Sequence, residues 1–228
     1  MDRLQLREAE IFRTLDNLKG IEFVLIGGYA VNSYALPRFS VDCDIVIRKE
    51  DTEKIKGILS KSGYCLAKNH EEVRYEGKFL RMEKILDEGF VASIDILVDE
   101  VHDRQSKARF SADWIFKNSK KRTIIGKTII MKIEAKIIDA DALFVMKFAS
   151  ARNTDIRDVF MMADKLQDFN EIMKEIEERK ISNQSKKIWQ TLEEKQFKDN
   201  LQGVYGYLDE SVFNKHMARI KSIISTKS

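Results

Sequence analysis

The chain carries a single proline, two cysteines and three histidines in 228 residues. Each scarcity removes a class of protein. Cys43 and Cys65 lack metal-type spacing, so neither a disulfide scaffold nor a zinc site is expected, and both should be reduced core thiols. His70, His102 and His216 show no metal spacing and no partner for nucleophilic chemistry. Long hydrophobic runs are missing too. No stretch of about 18 apolar residues is available to span a bilayer. The first residues, Met1 to Glu10, are too charged for a signal peptide, so a cytoplasmic protein without membrane contact is expected. Neither sign of charge dominates: 40 Lys and Arg face 37 Asp and Glu, a net charge of +3. Any contact with nucleic acid must then come from a local patch.

Hydrophobic residues make up 43% of the chain, enough for the core of one large domain or two small ones. The apolar pattern predicts a helix from Leu4 to Leu18 stopped by Gly20, a strand over Phe23–Ile26, a short helix from Tyr29 to Leu36 ended by Pro37, and a strand over Cys43–Ile47. A helix capped at Asp51 or Thr52 runs to Lys61. Strands are expected at Glu72–Tyr75 and Lys78–Ile85 around a Glu76-Gly77 turn, and at Val91–Val98. Ser106–Lys117 reads as partly helical and Thr123–Ile133 as a hairpin around Gly126. From Asp139 the pattern is helical throughout: Ala140–Arg152, Asp155–Leu166, Asn170–Lys180, Gln184–Leu201 and Glu210–Ile224. The shift near Ile138 divides the chain into residues 1–138, mixed in secondary structure, and an all-helical 139–228. The fold class expected is α+β, a mixed sheet flanked by helices and followed by a helical bundle.

Chemistry concentrates between Ile26 and Ile45. The apolar run Phe23–Ile26 breaks into Gly27 and Gly28, which leads into a helix-compatible stretch. Glycines after a strand let the backbone approach a phosphate closely, and the following helix offers its positive end. Arg38 and Ser40 then lead into Asp42 and Asp44 at the start of the next strand. Side chains two apart in a strand point to the same side. Two like charges so placed are costly unless a cation lies between them. The stretch therefore reads as a triphosphate cradle beside a divalent-metal site.

These residues resemble the nucleotidyltransferase superfamily related to DNA polymerase beta, in which Gly-Gly or Gly-Ser follows the first strand and Asp-x-Asp stands on the next. Arg38-Phe39-Ser40-Val41-Asp42-Cys43-Asp44 matches the second motif of the AbiEii-type nucleotidyltransferases, many of them toxins of toxin–antitoxin pairs. Gly27-Gly28-Tyr29-Ala30-Val31 followed by Asp-x-Asp is also similar to aminoglycoside nucleotidyltransferases. The resemblance implies transfer of a nucleoside monophosphate from an NTP, ATP among them, to an acceptor. Two Mg2+ ions would be held by Asp42, Asp44 and a third carboxylate, which would also be placed to take the acceptor's proton. Asp95, within Ile94-Asp95-Ile96, fits the third position, and Asp99 is its rival by period two. Gly27 and Gly28 would cradle phosphates, and Arg38 and Ser40 would orient them.

A second segment, Lys147-Phe148-Ala149-Ser150-Ala151-Arg152 and then Arg157-Asp158, resembles the helical motif of the AbiEii type, with the alanine one place early. Lys147 lies inside an apolar helical stretch, where a lysine either snorkels or serves a ligand anion. Asn153–Asp155 should cap the next helix, with Asp158 in its first turn. The resemblance implies that these helices close over the sheet and bring Lys147 and Asp158 to the nucleotide. For the acceptor it implies tRNA or another macromolecule, with an antitoxin as partner. An antibiotic-like small molecule and a catalytically silent nucleotide-binding module are the alternatives.

Overall fold

A computed structural model describes residues 2–67 and 78–224. The strand expected at Glu72–Tyr75, its turn and His70 lie outside the described residues. The chain divides into two compact units. The first comprises Met1–Ser33, Pro37–His102 and Phe110–Asp139, and the second Tyr34–Leu36, Asp103–Arg109 and Ala140–Ser228.

The first unit is built on a mixed seven-stranded sheet. In chain order its elements are α1 (Arg3–Asn17), β1 (Val24–Leu25), α2 (Gly27–Val31), β2 (Asp42–Ile47), α3 (Thr52–Lys61), β3 (Cys65–Leu66), β4 (Lys78–Asp87), β5 (Phe90–Val98), β6 (Glu100–His102), β7 (Arg109–Ser111), α4 (Ala112–Lys117), β8 (Ser119–Ile125) and β9 (Lys132–Ile138). The sheet order is β3-β4-β5-β2-β1-β9-β8, and β6 pairs with β7 in a separate ribbon. In the seven-stranded sheet β2 runs parallel to β5, and β1 parallel to β9; its other pairs are antiparallel. Cys43, Ile45, Ile94 and Ile96 are fully buried on one face. α1 packs across β5 and β9 through an apolar stripe of Ile11, Phe12 and Leu15.

α1 also carries a buried acid, Glu8. Its carboxylate accepts hydrogen bonds from the backbone N–H of Lys127 at 2.7 Å and of Thr128 at 3.0 Å, and from the Thr128 hydroxyl at 3.0 Å. A buried carboxylate needs such donors, and here they fix the turn between β8 and β9 to the first helix.

The second unit is helical: α5 (Ala140–Ser150), α6 (Asn153–Met162), α7 (Phe169–Glu178), α8 (Gln184–Glu193), α9 (Lys195–Tyr205) and α10 (Glu210–Ile224). α5 is buried at nearly every position because α6, α7 and α8 surround it. Phe160 anchors a second cluster, with Phe197, Phe213 and His216 within 5.0–5.3 Å ring to ring.

Several expectations need correction. The helix at Tyr29–Leu36 is a shorter helix that starts at Gly27 and ends at Val31. Ser106–Lys117 is partly helical as expected, over α4, and Arg109–Ser111 before it is extended; Ser111 caps α4 by accepting from the Trp114 N–H. The run Gln184–Leu201 is two helices, divided at Glu194, whose ψ of 129° is extended. No Gly or Pro stands there, so composition gave no signal. Cys43 is buried as expected, but Cys65 is exposed. Among the described residues, no helix is long and apolar enough to cross a membrane.

Candidate active site

The parallel pairing of β2 with β5 aligns Asp44 with Asp95 and Asp42 with Ser93. The antiparallel pairing of β4 with β5 aligns Arg81 with Asp95 and Glu83 with Ser93. Paired residues share a face. One face of three adjacent strands therefore carries two rows: Arg81, Asp95 and Asp44 in one, Glu83, Ser93 and Asp42 in the next. Asp42, Asp44 and Asp95 lie on this common face.

Gly27 and Gly28 adjoin this face for steric reasons. Gly27 has φ +65°, and a Cβ there would collide with Asp44 Oδ2. A Cβ on Gly28 would collide with Ser40 Oγ and stand 3.1 Å from the Arg38 guanidinium. Both glycines thus leave room for a named polar side chain. The Arg38 backbone is held by Asn32, whose side chain accepts from the Arg38 N–H at 3.1 Å and donates to the Arg38 carbonyl at 2.9 Å. The Arg38 side chain donates to the Phe39 carbonyl at 3.0 Å. Gly27, Gly28, Arg38, Ser40 and Asp44 are thereby brought together within the first unit.

Arg81 is the site residue that the sequence reading missed. Its Nε donates to Asp95 Oδ1 at 2.7 Å and its Nη2 to Asp95 Oδ2 at 2.6 Å; the same Nη2 reaches Asp42 Oδ2 at 3.3 Å. A fork on a carboxylate is the stronger, directional form of ion pair. The Asp95 side chain is 8% exposed, and those of Arg81 and Asp42 are each 35% exposed. Burial raises the Asp95 carboxyl above its ordinary value; the Arg81 fork opposes this, and Asp42 and Glu83 add to it. The same fork pushes the Arg81 guanidinium upward, so Arg81 stays charged. Behind the face, burial and the three aspartates raise the Cys43 thiol, which keeps it protonated.

Asp99 is separate from this arrangement. It follows β5 with φ 65°, and its carboxylate accepts from the Lys49 N–H at 2.9 Å. Its backbone ties the end of β5 to the end of β2 through Ile47 and to α4 through Ala112.

The residues can be tested against a divalent metal. Asp42 and Asp44 offer oxygen ligands from one face of β2 and suit one hard cation. Both oxygens of Asp95 are engaged by Arg81. Among the described residues, no group of three or more His, Cys, Asp or Glu side chains is arranged to hold a metal ion. The donor set fits one ion on Asp42 and Asp44, while Asp95 on the same face is held by Arg81.

Lys147 and Asp158 lie in the second unit. Lys147 Nζ stands 2.7 Å from Asp155 Oδ1 and 3.0 Å from Asp158 Oδ2, and both aspartates are fully buried. Arg152 Nε donates to Asp155 Oδ2 at 2.6 Å. Burial alone would raise the Asp155 carboxyl, but Lys147 and Arg152 outweigh it and hold it below the ordinary range. Lys147 is itself buried, so it does not snorkel. Arg152 occupies the N-cap of α6, without a capping side chain, and Asp155 stands in the first turn. Asp158 is therefore a turn further along than the capping pattern implied, where helical spacing sets it beside Asp155.

The mixed sheet flanked by helices and followed by further helices makes this an α+β fold. No protein-family model and no curated protein matches the chain. Among solved structures, the antibiotic-resistance factor ANT(2'')-Ia superposes on 82% of this chain and 95% of its own, with TM-score 0.51 and 13% identity. A second, the lincomycin-bound lincosamide antibiotic adenylyltransferase LnuA, covers 69% of this chain and 97% of its own, with TM-score 0.47 and 18% identity.

Proposed function

We propose that the protein is a metal-dependent nucleotidyltransferase that moves a nucleoside monophosphate from an NTP to an acceptor hydroxyl. The observation that carries this reading is the face shared by Asp42, Asp44 and Asp95, with Gly27 and Gly28 packed against Asp44, Ser40 and Arg38. Asp42 and Asp44 would hold a divalent ion, Mg2+ by its preference for carboxylate and phosphate oxygens, which when bound supplies charge neutralisation at the triphosphate. The acceptor oxygen attacks the α-phosphorus, and the bond from that phosphorus to the oxygen bridging to the β-phosphate breaks. The hydroxyl proton passes to Asp95, which retains lone pairs beyond those taken by Arg81, and pyrophosphate leaves. Gly28 offers a backbone N–H to a phosphate, Ser40 a hydroxyl and Arg38 a guanidinium. The contribution of these groups is positioning and charge stabilisation.

For the acceptor, a small antibiotic-like molecule is the better supported reading. The fold likeness to ANT(2'')-Ia favours it, as does the Gly27–Val31 segment followed by Asp-x-Asp. Transfer to tRNA or another macromolecule, in a toxin–antitoxin setting of the AbiEii type, is the second reading. The Arg38-to-Asp44 match favours that one. Fold alone does not fix substrate. Incubation with each α-labelled NTP, Mg2+ and a panel of aminoglycosides or total tRNA separates them. Label on a small molecule supports the first reading and label on tRNA the second. If no Mg2+-dependent NTP binding and no transfer are found, both fall.

A further inference from the structure

Four carboxylates, Asp42, Asp44, Glu83 and Asp95, occupy two adjacent rows of one sheet face, and a single arginine stands in those rows. That arginine is directly opposite Asp95 and forks onto both of its oxygens, and one of its nitrogens also reaches Asp42. A guanidinium spanning Asp95 and Asp42 takes the position in which an ion bridging β5 and β2 would have to sit. A second divalent ion would have to displace the guanidinium from this position or sit directly beside its positive charge. Resting on the reading of this face as a nucleotidyltransferase site, we propose that Arg81 takes the place of a second metal ion. It holds Asp95 in position, and one divalent ion on Asp42 and Asp44 serves the nucleotide.

The chemistry favours an arginine for this task. A guanidinium keeps its charge at any pH the protein meets and presents a planar fork matched to a carboxylate. A lysine in the same row would offer a point charge and could not engage both Asp95 oxygens in a planar fork. The backbone also fixes the arrangement. The β4–β5 hairpin contains a bulge between Ile85 and Asp87 that shifts the pairing by one residue. Counted outward from the Asp87–Phe90 pair without that shift, Arg81 would face Ile96; with it, Arg81 faces Asp95. Bulges re-aim side chains in this way. Arg81 is thus a positioning residue that acts through Asp95, and its action does not depend on the concentration of free metal.

The test counts ions. Mn2+ is titrated into the full chain with a non-hydrolysable α,β-methylene NTP, and bound Mn2+ is counted by electron paramagnetic resonance, with calorimetry alongside. One ion per chain is expected for the wild type, with spectra free of coupling between two Mn2+ ions. Arg81→Met releases Asp95 and should raise the count to two, whereas Arg81→Lys should fall short of the wild type in holding Asp95 and show partial occupancy of the second ion. Should the Arg81 variants fail to fold, the wild-type count alone decides. Two coupled ions in the wild type would overturn the proposal and leave the nucleotidyltransferase reading standing. No bound ion, with or without nucleotide, would overturn the reading on which the proposal rests.

Discussion

The carboxylate of Asp44 lies where a side chain on Gly27 would have to be. A Cβ on Gly27 would collide with Asp44 Oδ2, and the Gly27 backbone is left-handed at φ +65°. Gly27→Ala should therefore act twice. The strained backbone should cost about 1–2 kcal/mol of stability. Displacement of the Asp44 carboxylate should weaken metal-dependent nucleotide binding and lower turnover on the order of 100-fold, as for a reacting group misplaced by about 1 Å. Urea denaturation and nucleotide calorimetry measure the two effects separately. Unchanged nucleotide affinity would detach Asp44 from the site.

Removing both acids of β2 should separate binding from folding. Asp42→Ala with Asp44→Ala should abolish Mg2+-dependent NTP binding while the melting temperature holds or rises, because two neighbouring like charges are removed. Calorimetry of the double variant checks this. Wild-type affinity for the Mg2+–NTP complex would refute the assignment of the ion to this pair.

Asp95→Asn should lower turnover by orders of magnitude with a much smaller change in NTP affinity, since the amide keeps the shape and loses the base. The raised Asp95 carboxyl also predicts a pH profile. Activity should fall on the acid side at a pH above the ordinary aspartate value of about 3.9. Rate–pH curves for wild type and Asp95→Asn test both statements. Equal turnover of the two proteins would remove Asp95 from the chemistry.

Lys147→Met should destabilise the helical unit. Asp155 and Asp158 are fully buried, and loss of the lysine leaves them with too little positive charge; a cost of about 3–5 kcal/mol is expected. The pH dependence follows from Asp155, whose folded pKa is depressed. A depressed carboxyl stabilises above its unfolded pKa, about 3.9, and that stability is lost as pH falls through the folded value. The difference between wild type and Lys147→Met should be largest near neutral pH and shrink below about pH 4. Chemical denaturation across pH measures it. A variant as stable as wild type at pH 7 would contradict the ion-pair account, and a loss of affinity confined to NTP over NMP would instead give Lys147 a triphosphate role.

Much of the candidate site's arrangement is legible in the sequence, because it rests on local rules. The glycine pair, Arg38, Ser40 and the Asp-x-Asp lie within one short segment, and period two alone sets Asp42 and Asp44 on a common face. The choice between Asp95 and Asp99 was not legible. Both satisfy period two, but β5 stops at Val98 and the chain turns left-handed at Asp99, which alternation cannot reveal. Arg81 was hidden for a related reason. It stands in a strand with Lys78, Glu83 and Lys84, and nothing in the sequence sets it apart from those charges. Its meaning comes from register, which the bulge beside Asp87 decides. Counting outward from the Glu88-Gly89 turn would have brought Arg81 within one residue of Asp95. In the helical unit, Lys147 was conspicuous in its apolar helix. Its partners were not, because Asp155 looked like a capping residue and Asp158 like a first-turn acid.

The central claim is that Asp42 and Asp44 hold the metal of a nucleotide whose phosphates rest on Gly27, Gly28, Ser40 and Arg38. The most direct measurement is a crystal structure of the protein with Mn2+ and a non-hydrolysable NTP, using the anomalous signal of manganese. The account predicts one anomalous peak bound by Asp42 and Asp44, triphosphate density against the two glycines and Arg38, and Asp95 still forked by Arg81. Manganese or nucleotide bound elsewhere, with Asp42 and Asp44 unliganded, would contradict it.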